Sequence, residues 1–118
     1  MTSDQTAAEL LGATCLVVTG VSHWRHPMAG QGVFARWAAE GHSGVFINAL
    51  LHAGVGALFV GLHPVFTGLS SVLTYWALAV LAKGLAYLLF PAFGLARMQE
   101  LTPDRAVRLR AAAVPMTL

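Results

Sequence analysis

Three long apolar runs dominate this chain of 118 residues. They cover residues 6–24, 44–62 and 68–95, and each reaches the roughly 20 largely apolar residues that a helix needs to cross a bilayer. The composition agrees, because 57% of the residues are hydrophobic and only 10% are charged, against about 25% charged residues in an ordinary globular protein. The sequence therefore predicts an all-α integral membrane bundle of three transmembrane helices, forming one domain over residues 1–118.

The segments outside these runs are expected at the membrane surface. The connector 22–43 combines aromatic and basic residues, which is typical of the headgroup level, and its stretch 32–40 predicts a short interfacial helix. After the third run, Thr102 followed by Pro103 predicts the start of a short C-terminal helix or stub. The interfacial anchor residues predicted in the connector are Trp24, Arg25, Arg36 and Trp37.

Basic residues predict the orientation. Arg25 and Arg36 lie in the connector and further arginines follow the third run, whereas the turn at 63–67 contains no Lys or Arg. Cytoplasmic loops are enriched in Lys and Arg. The sequence thus predicts an N-terminus outside the cell, with connector 22–43 and the C-terminal tail in the cytoplasm.

Lys83 is the only charged residue of the third run and lies near its middle. A lysine at the centre of a membrane helix costs roughly 2.5–3.5 kcal/mol, so its charge calls for compensation. The helix end is roughly 18 Å away, which a lysine side chain does not span unaided. Three solutions stay open: an ion pair with Glu9, a neutral amine, and a polar partner from another chain.

Two patterns on the second and third runs predict helix contacts. Because antiparallel spans place His52 and Lys83 at similar depth, we expect a buried polar cluster of Asn48, His52, Lys83 and Tyr87. Such a cluster either forms a site or simply holds the helices together. Small residues at every fourth position favour close helix packing. This predicted packing stripe consists of Ala49, Ala53, Ala57 and Gly61.

The chemistry available to the chain is limited. No nucleophile–base set, phosphate loop or paired carboxylate is recognisable, so we expect no enzymatic activity. The net charge of +2 is too small for nucleic-acid binding, and no metal site is predicted. A haem or a chlorin bound through His52, beside Ala49 and Ala53, is the one cofactor the pattern allows.

A weak internal repeat is visible when the chain is shifted by 64 residues. Gly20 then aligns with Gly84, Pro27 with Pro91, and Gly30 with Gly94. A repeat of this kind predicts two helix–connector–helix units running in the same direction. The fourth helix of that scheme would begin near Val107 and be cut short.

The stretch Leu81-Ala-Lys-Gly-Leu-Ala-Tyr-Leu-Leu-Phe-Pro91, with Gly61-Leu-His-Pro-Val-Phe-Thr-Gly68 before it, resembles small uncharacterised bacterial inner-membrane proteins. These have a Lys-Gly pair in a late hydrophobic span that is followed by proline. The resemblance implies a location in the bacterial inner membrane and supplies no activity.

The leading functional expectation is a small accessory subunit of a larger bacterial membrane complex, respiratory or photosynthetic. Its expected partners are the lipid bilayer and other membrane subunits, or further copies of itself. The alternatives are a small oligomeric transporter or proton-coupled channel that uses Lys83 and His52, and a haem- or chlorin-binding membrane protein.

Overall fold

In the computed structural model, which describes residues 1–105 and 110–111, every regular element is helical. The all-α prediction is therefore confirmed for this part of the chain. The predicted fourth helix near Val107 and most of the C-terminal stub lie outside the described residues. The elements are α1 (Ser3–Arg25), α2 (Pro27–Ala39), α3 (His42–Leu62), α4 (Ser71–Leu89), α5 (Pro91–Gln99) and a 3-10 turn (Pro103–Arg105).

Two of these helices, α3 and α4, are long and apolar enough to cross a membrane. Large apolar side chains on them face outward, among them Phe46 and Leu89 with exposed fractions of 55% and 72%. In a bilayer, lipid tails would cover such side chains. α1 has 23 residues but does not reach the same apolar character, because it includes Asp4, Glu9 and Arg25. The structure thus indicates membrane association through two helices, and a third span stays a prediction.

Prolines set where the helices end. α1, α3 and α4 are each followed by a C-cap residue that directly precedes a proline. These C-caps are His26, His63 and Phe90, and they share similar backbone angles of φ −136° to −129° and ψ 58° to 70°. The proline ring disfavours helical geometry in the preceding residue. The run 68–95, predicted as one span, is therefore divided into α4 and α5. The surface helix predicted at 32–40 is longer than expected, because Pro27 starts it as Pro91 starts α5.

The α3–α4 hairpin is the centre of the fold. Its helices approach so closely that a methyl group on Gly84 would overlap the backbone of Ala53. A methyl group on Gly56 would likewise overlap the backbone of Leu81. Glycines at a helix crossing allow this backbone contact and the dispersion attraction that accompanies it. The hairpin can therefore hold side chains of α3 and α4 at fixed separations.

The two ends of the hairpin are packed differently. At the end where the chain turns between α3 and α4, here called the turn end, α1 contributes Ala8 to a small apolar core. At the opposite end, here called the α5 end, α2 and α5 fold against α3. The turn-end core contains Ala8, Phe59, Leu73 and Ala77, and the α5-end core contains Val45, Ala49, Tyr87 and Met98.

Candidate functional site

Lys83 contacts His52 across the α3–α4 interface. The Nζ atom of Lys83 lies 3.2 Å from Nε2 of His52. The other ring nitrogen of His52, Nδ1, lies 2.8 Å from the main-chain oxygen of Asn48, one turn earlier on α3. Lys83 and His52 therefore form a hydrogen-bonded pair that joins the two helices.

The hydrogen bonds determine the protonation pattern of His52. A carbonyl oxygen only accepts hydrogen bonds, so Nδ1 must donate to Asn48. Nε2 then has a free lone pair and accepts a hydrogen bond from the Lys83 amine. His52 is accordingly neutral with its proton on Nδ1, and its hydrogen bond to Lys83 needs no carboxylate.

Tyr87 and Asn48 complete the surroundings of this pair. The Lys83 Nζ atom lies 5.5 Å from the centroid of the Tyr87 ring, within the range of a cation–π contact. Asn48 is 1% exposed, and its side-chain oxygen is buried without a hydrogen-bond partner among the described residues. The structure thus brings together the four residues of the predicted polar cluster, although Asn48 bonds His52 through its backbone rather than its side chain.

No carboxylate of the described residues forms an ion pair with Lys83. Glu9, which the sequence offered as a partner, instead contacts His63 at the turn end of the hairpin. The hydrogen-bond partner of Lys83 comes from the same chain, but it is a neutral ring. A charged Lys83 would therefore keep an uncompensated positive charge.

A groove connects Lys83 with the α5 end. It has a volume of about 450 Å³, and its apolar and aromatic walls include Tyr87, Phe93 and Leu101. Arg97 and Glu100 also line it and form an ion pair of 3.1 Å with each other. The site is accordingly a basic group inside a membrane-type helix, reached from one end of the hairpin.

A second polar network lies at the turn end. The Nε2 atom of His63 is 2.9 Å from a Glu9 carboxylate oxygen, and its Nδ1 atom is 3.0 Å from the Thr74 hydroxyl. The Thr74 hydroxyl donates to the His63 main-chain oxygen at 2.6 Å and accepts from the Val65 amide at 3.2 Å. This network attaches α1 to the turn between α3 and α4.

The hydrogen bonds also determine which nitrogen of the His63 ring is a donor. The Thr74 hydroxyl proton is used on the His63 carbonyl, so the Nδ1 atom of His63 must donate to the Thr74 oxygen. The contact of Nε2 with the Glu9 carboxylate oxygen then requires one proton between these two atoms. The Thr74 hydroxyl is fully buried and bonded to the main chain, which suits an anchor and not a nucleophile.

Hydrogen bonding to Ser70 and then to His63 lowers the pKa of the Glu9 carboxyl below its ordinary value of 4.5. Its side chain is 28% exposed, and His63 lies just beyond α3. Glu9 is therefore placed beside the turn, outside the spans α3 and α4.

Sequence reasoning did not single out this second network. The sequence held one signal of this network. Glu9 is the only acid inside an apolar run, and the predicted topology places it on the same side of the membrane as His63. Nothing in the spacing identified Thr74, because its hydroxyl reaches His63 only through the shape of the turn.

The predicted packing stripe is used only in part. Ala49 and Ala53 contact Gly84, whereas Ala57 and Gly61 lie on an exposed face. The helical repeat explains the difference, because residues spaced by four advance about 40° around a helix of 3.6 residues per turn, so the contact face follows Ala49, Ala53 and Gly56. Of the predicted anchors, Trp24, Arg25 and Arg36 are exposed, and Trp37 packs against the α5-end core.

Cofactor binding finds little support in this geometry. Both ring nitrogens of His52 are already hydrogen-bonded, so axial ligation of haem or chlorin would require breaking its contact with Lys83. Within residues 1–105 and 110–111, no group of three His, Cys, Asp or Glu side chains is placed to hold a metal.

Comparison with known proteins gives no match to any family model, curated protein or solved structure.

Proposed function

We propose that this chain is a small integral membrane protein that serves as an accessory subunit of a larger membrane assembly. The observation that supports this best is its thinness: the chain measures 43 × 32 × 17 Å, and a single helix with its side chains is about 10–12 Å across. So thin a layer of helices leaves most of α3 and α4 facing outward. A chain of this form has much lateral surface and little interior.

The exposed surface of α3 also suits a neighbouring helix. Gly54, Ala57 and Gly61 are exposed at spacings of three and four, and no other part of the described chain comes within 4 Å of a methyl group placed on either glycine. Small residues in this arrangement let a second helix approach closely in lipid. Ala57 and Gly61, the exposed half of the predicted packing stripe, are thus available to contact another subunit.

The proposed location is the bacterial inner membrane, as the sequence resemblance implies. Arg25, Arg36 and Arg97 belong to the end of the bundle where α2 and α5 lie, and the turn at 63–70 has no Lys or Arg. Applied to this arrangement, the positive-inside rule favours α2 and α5 in the cytoplasm and the N-terminus outside. An N-terminus outside requires α1 to cross as well, as the predicted span over residues 6–24 would.

Purification in a mild detergent tests the assembly. We expect the wild-type protein to elute with defined partner subunits in a constant ratio, and Ala57→Leu or Gly61→Leu to reduce that recovery about tenfold, as a loss of about 1.4 kcal/mol would. Ala82→Leu is the matched control, because Ala82 is a small exposed residue of the other helix. A wild-type protein that purifies alone, as a monomer or homo-oligomer, would contradict the proposal.

A second candidate function, proton-coupled transport, is favoured by one observation, the pairing of titratable Lys83 and His52 inside a membrane-type helix pair. Within one chain, however, the close contact of Gly56 with Leu81 and the apolar core around Phe59 separate this pair from the turn end. Conduction would therefore need several chains. Reconstituted vesicles would support it if Lys83→Met abolished a proton flux, and equal flux in wild type and variant would remove it.

A further inference from the structure

We propose that the groove between α4 and α5 binds the phosphodiester headgroup of an anionic phospholipid, with Lys83 and Arg97 as the cationic groups. The proposal relies on the membrane location proposed above but not on membership of an assembly. It assigns a ligand to Lys83, whose charge no carboxylate of residues 1–105 and 110–111 neutralises.

The charges of the groove favour an anion. Two cations, Lys83 and Arg97, and one acid, Glu100, line it, so its net charge is +1 when all three are ionised. Glu100 is 44% exposed and Arg97 55% exposed in their mutual ion pair. Exposed pairs of this kind contribute little, so Arg97 can exchange Glu100 for another anion at small cost. Lys83 donates one hydrogen bond to His52 and keeps further N–H groups for a ligand.

The position and walls of the groove favour a lipid over a small soluble anion. Lys83 belongs to α4, which is long and apolar enough to span, whereas Arg97 lies on α5 just beyond the break at Phe90. A ligand contacting both cations would therefore bridge hydrocarbon depth and headgroup level. Phe93 and Leu101 supply apolar surface beside the charges. A volume of about 450 Å³ accommodates a headgroup with the first part of its acyl chains.

The proposed mode agrees with a general pattern. Basic pockets between membrane helices on the cytoplasmic side bind anionic lipid headgroups, and a Lys or Arg near an anionic membrane surface contributes about 1 kcal/mol. If both cations contribute at this level, loss of either should weaken selective binding about fivefold. The net positive charge of the groove also predicts weaker binding of a zwitterionic lipid, because the ammonium group of that lipid is repelled by the two cations.

The test uses the full chain in nanodiscs of equimolar phosphatidylglycerol and phosphatidylcholine. After transfer to detergent, native mass spectrometry counts the lipids that stay bound. We expect phosphatidylglycerol to be retained preferentially by the wild type, and about fivefold less by Lys83→Gln and by Arg97→Gln. Arg36→Gln is the control, because Arg36 is an exposed arginine of α2 outside the groove. Added inorganic phosphate should not displace the lipid.

Several results would overturn the proposal. Equal retention of the two lipids by the wild type, or equal losses in Arg97→Gln and Arg36→Gln, would exclude a selective site. Displacement by inorganic phosphate would assign the groove to a free anion instead. If Lys83→Gln does not fold, Arg97→Gln alone tests the lipid site, because the Arg97 side chain is exposed and its replacement should not affect folding. A wild type that never enters nanodiscs would contradict the membrane location itself, which distinguishes that failure from a missing lipid site.

Discussion

Replacing Thr74 by valine tests the turn-end network most stringently. The Thr74 hydroxyl is fully buried and takes part in three hydrogen bonds, to the main-chain oxygen of His63, the amide of Val65 and the Nδ1 atom of His63. Valine has nearly the same shape but no hydrogen-bonding group. The substitution therefore removes these bonds while leaving the packing of the turn almost unchanged.

The expected loss follows from the groups left without a partner. A buried donor or acceptor without a partner costs about 1–3 kcal/mol, and three such groups remain after the substitution. Val65 is only half-buried, so water or headgroups can satisfy part of this demand. We therefore expect Thr74→Val to lower the free energy of unfolding by about 2–4 kcal/mol, and Thr74→Ser to recover most of that loss.

Equilibrium unfolding of the detergent-solubilised protein, followed by circular dichroism, measures this difference. Thr14→Val is the control, because the Thr14 hydroxyl is exposed and makes one local hydrogen bond of 2.8 Å to the Leu10 carbonyl. Its effect should remain within about 0.5 kcal/mol. If Thr74→Val and Thr14→Val had equal effects, the hydrogen bonds assigned to Thr74 would not stabilise the turn.

Three further predictions concern the close contact of α3 with α4, the hydrogen bond between Lys83 and His52, and the dependence of stability on pH. Gly84→Ala should destabilise the hairpin by about 1–3 kcal/mol through steric overlap, whereas Gly54→Ala, with open space around it, should be neutral or stabilising; both are measured by the same unfolding assay. A double-mutant cycle of Lys83→Met and His52→Leu should give a favourable coupling energy of about 1 kcal/mol, and additive effects would show that the two side chains do not interact. The pKa of the Glu9 carboxyl is lowered in the folded protein, so the stabilisation by ionised Glu9 should be complete above pH 4.5 and be lost as the pH falls through the folded pKa. The free energy of unfolding of Glu9→Gln should not show this decrease. Parallel pH profiles of the variant and the wild type would contradict the contact of Glu9 with His63.

Much of the architecture could be predicted because it depends on local chemistry. Apolar run length located α3 and α4. The depth argument that paired His52 with Lys83 required only two antiparallel helices with a short turn between them. The contact of Nζ with Nε2 in the structure agrees with that argument.

Other features depended on three-dimensional details that spacing does not encode. Ala57 and Gly61 were assigned to the packing face by their period, but a spacing of four residues drifts around the helix, so they face outward and Gly56 contacts α4 instead. The Glu9–His63 contact depends on the position of α1 against the turn, and the spacing of residues in the sequence does not predict that position. The groove at Lys83 exists because α5 folds back after Phe90, whereas the sequence predicted one continuous span over residues 68–95.

The protonation of His52 tests the central claim, that Lys83 is accommodated inside the membrane hairpin by a neutral acceptor from the same chain. Nitrogen-15 NMR of the histidine-labelled protein in micelles distinguishes the two neutral tautomers from the imidazolium form. The structure predicts a neutral His52 ring with its proton on Nδ1 and an accepting Nε2 atom that changes its chemical shift in Lys83→Met. A ring protonated on Nε2, or an Nε2 shift unchanged by Lys83→Met, would contradict the claim.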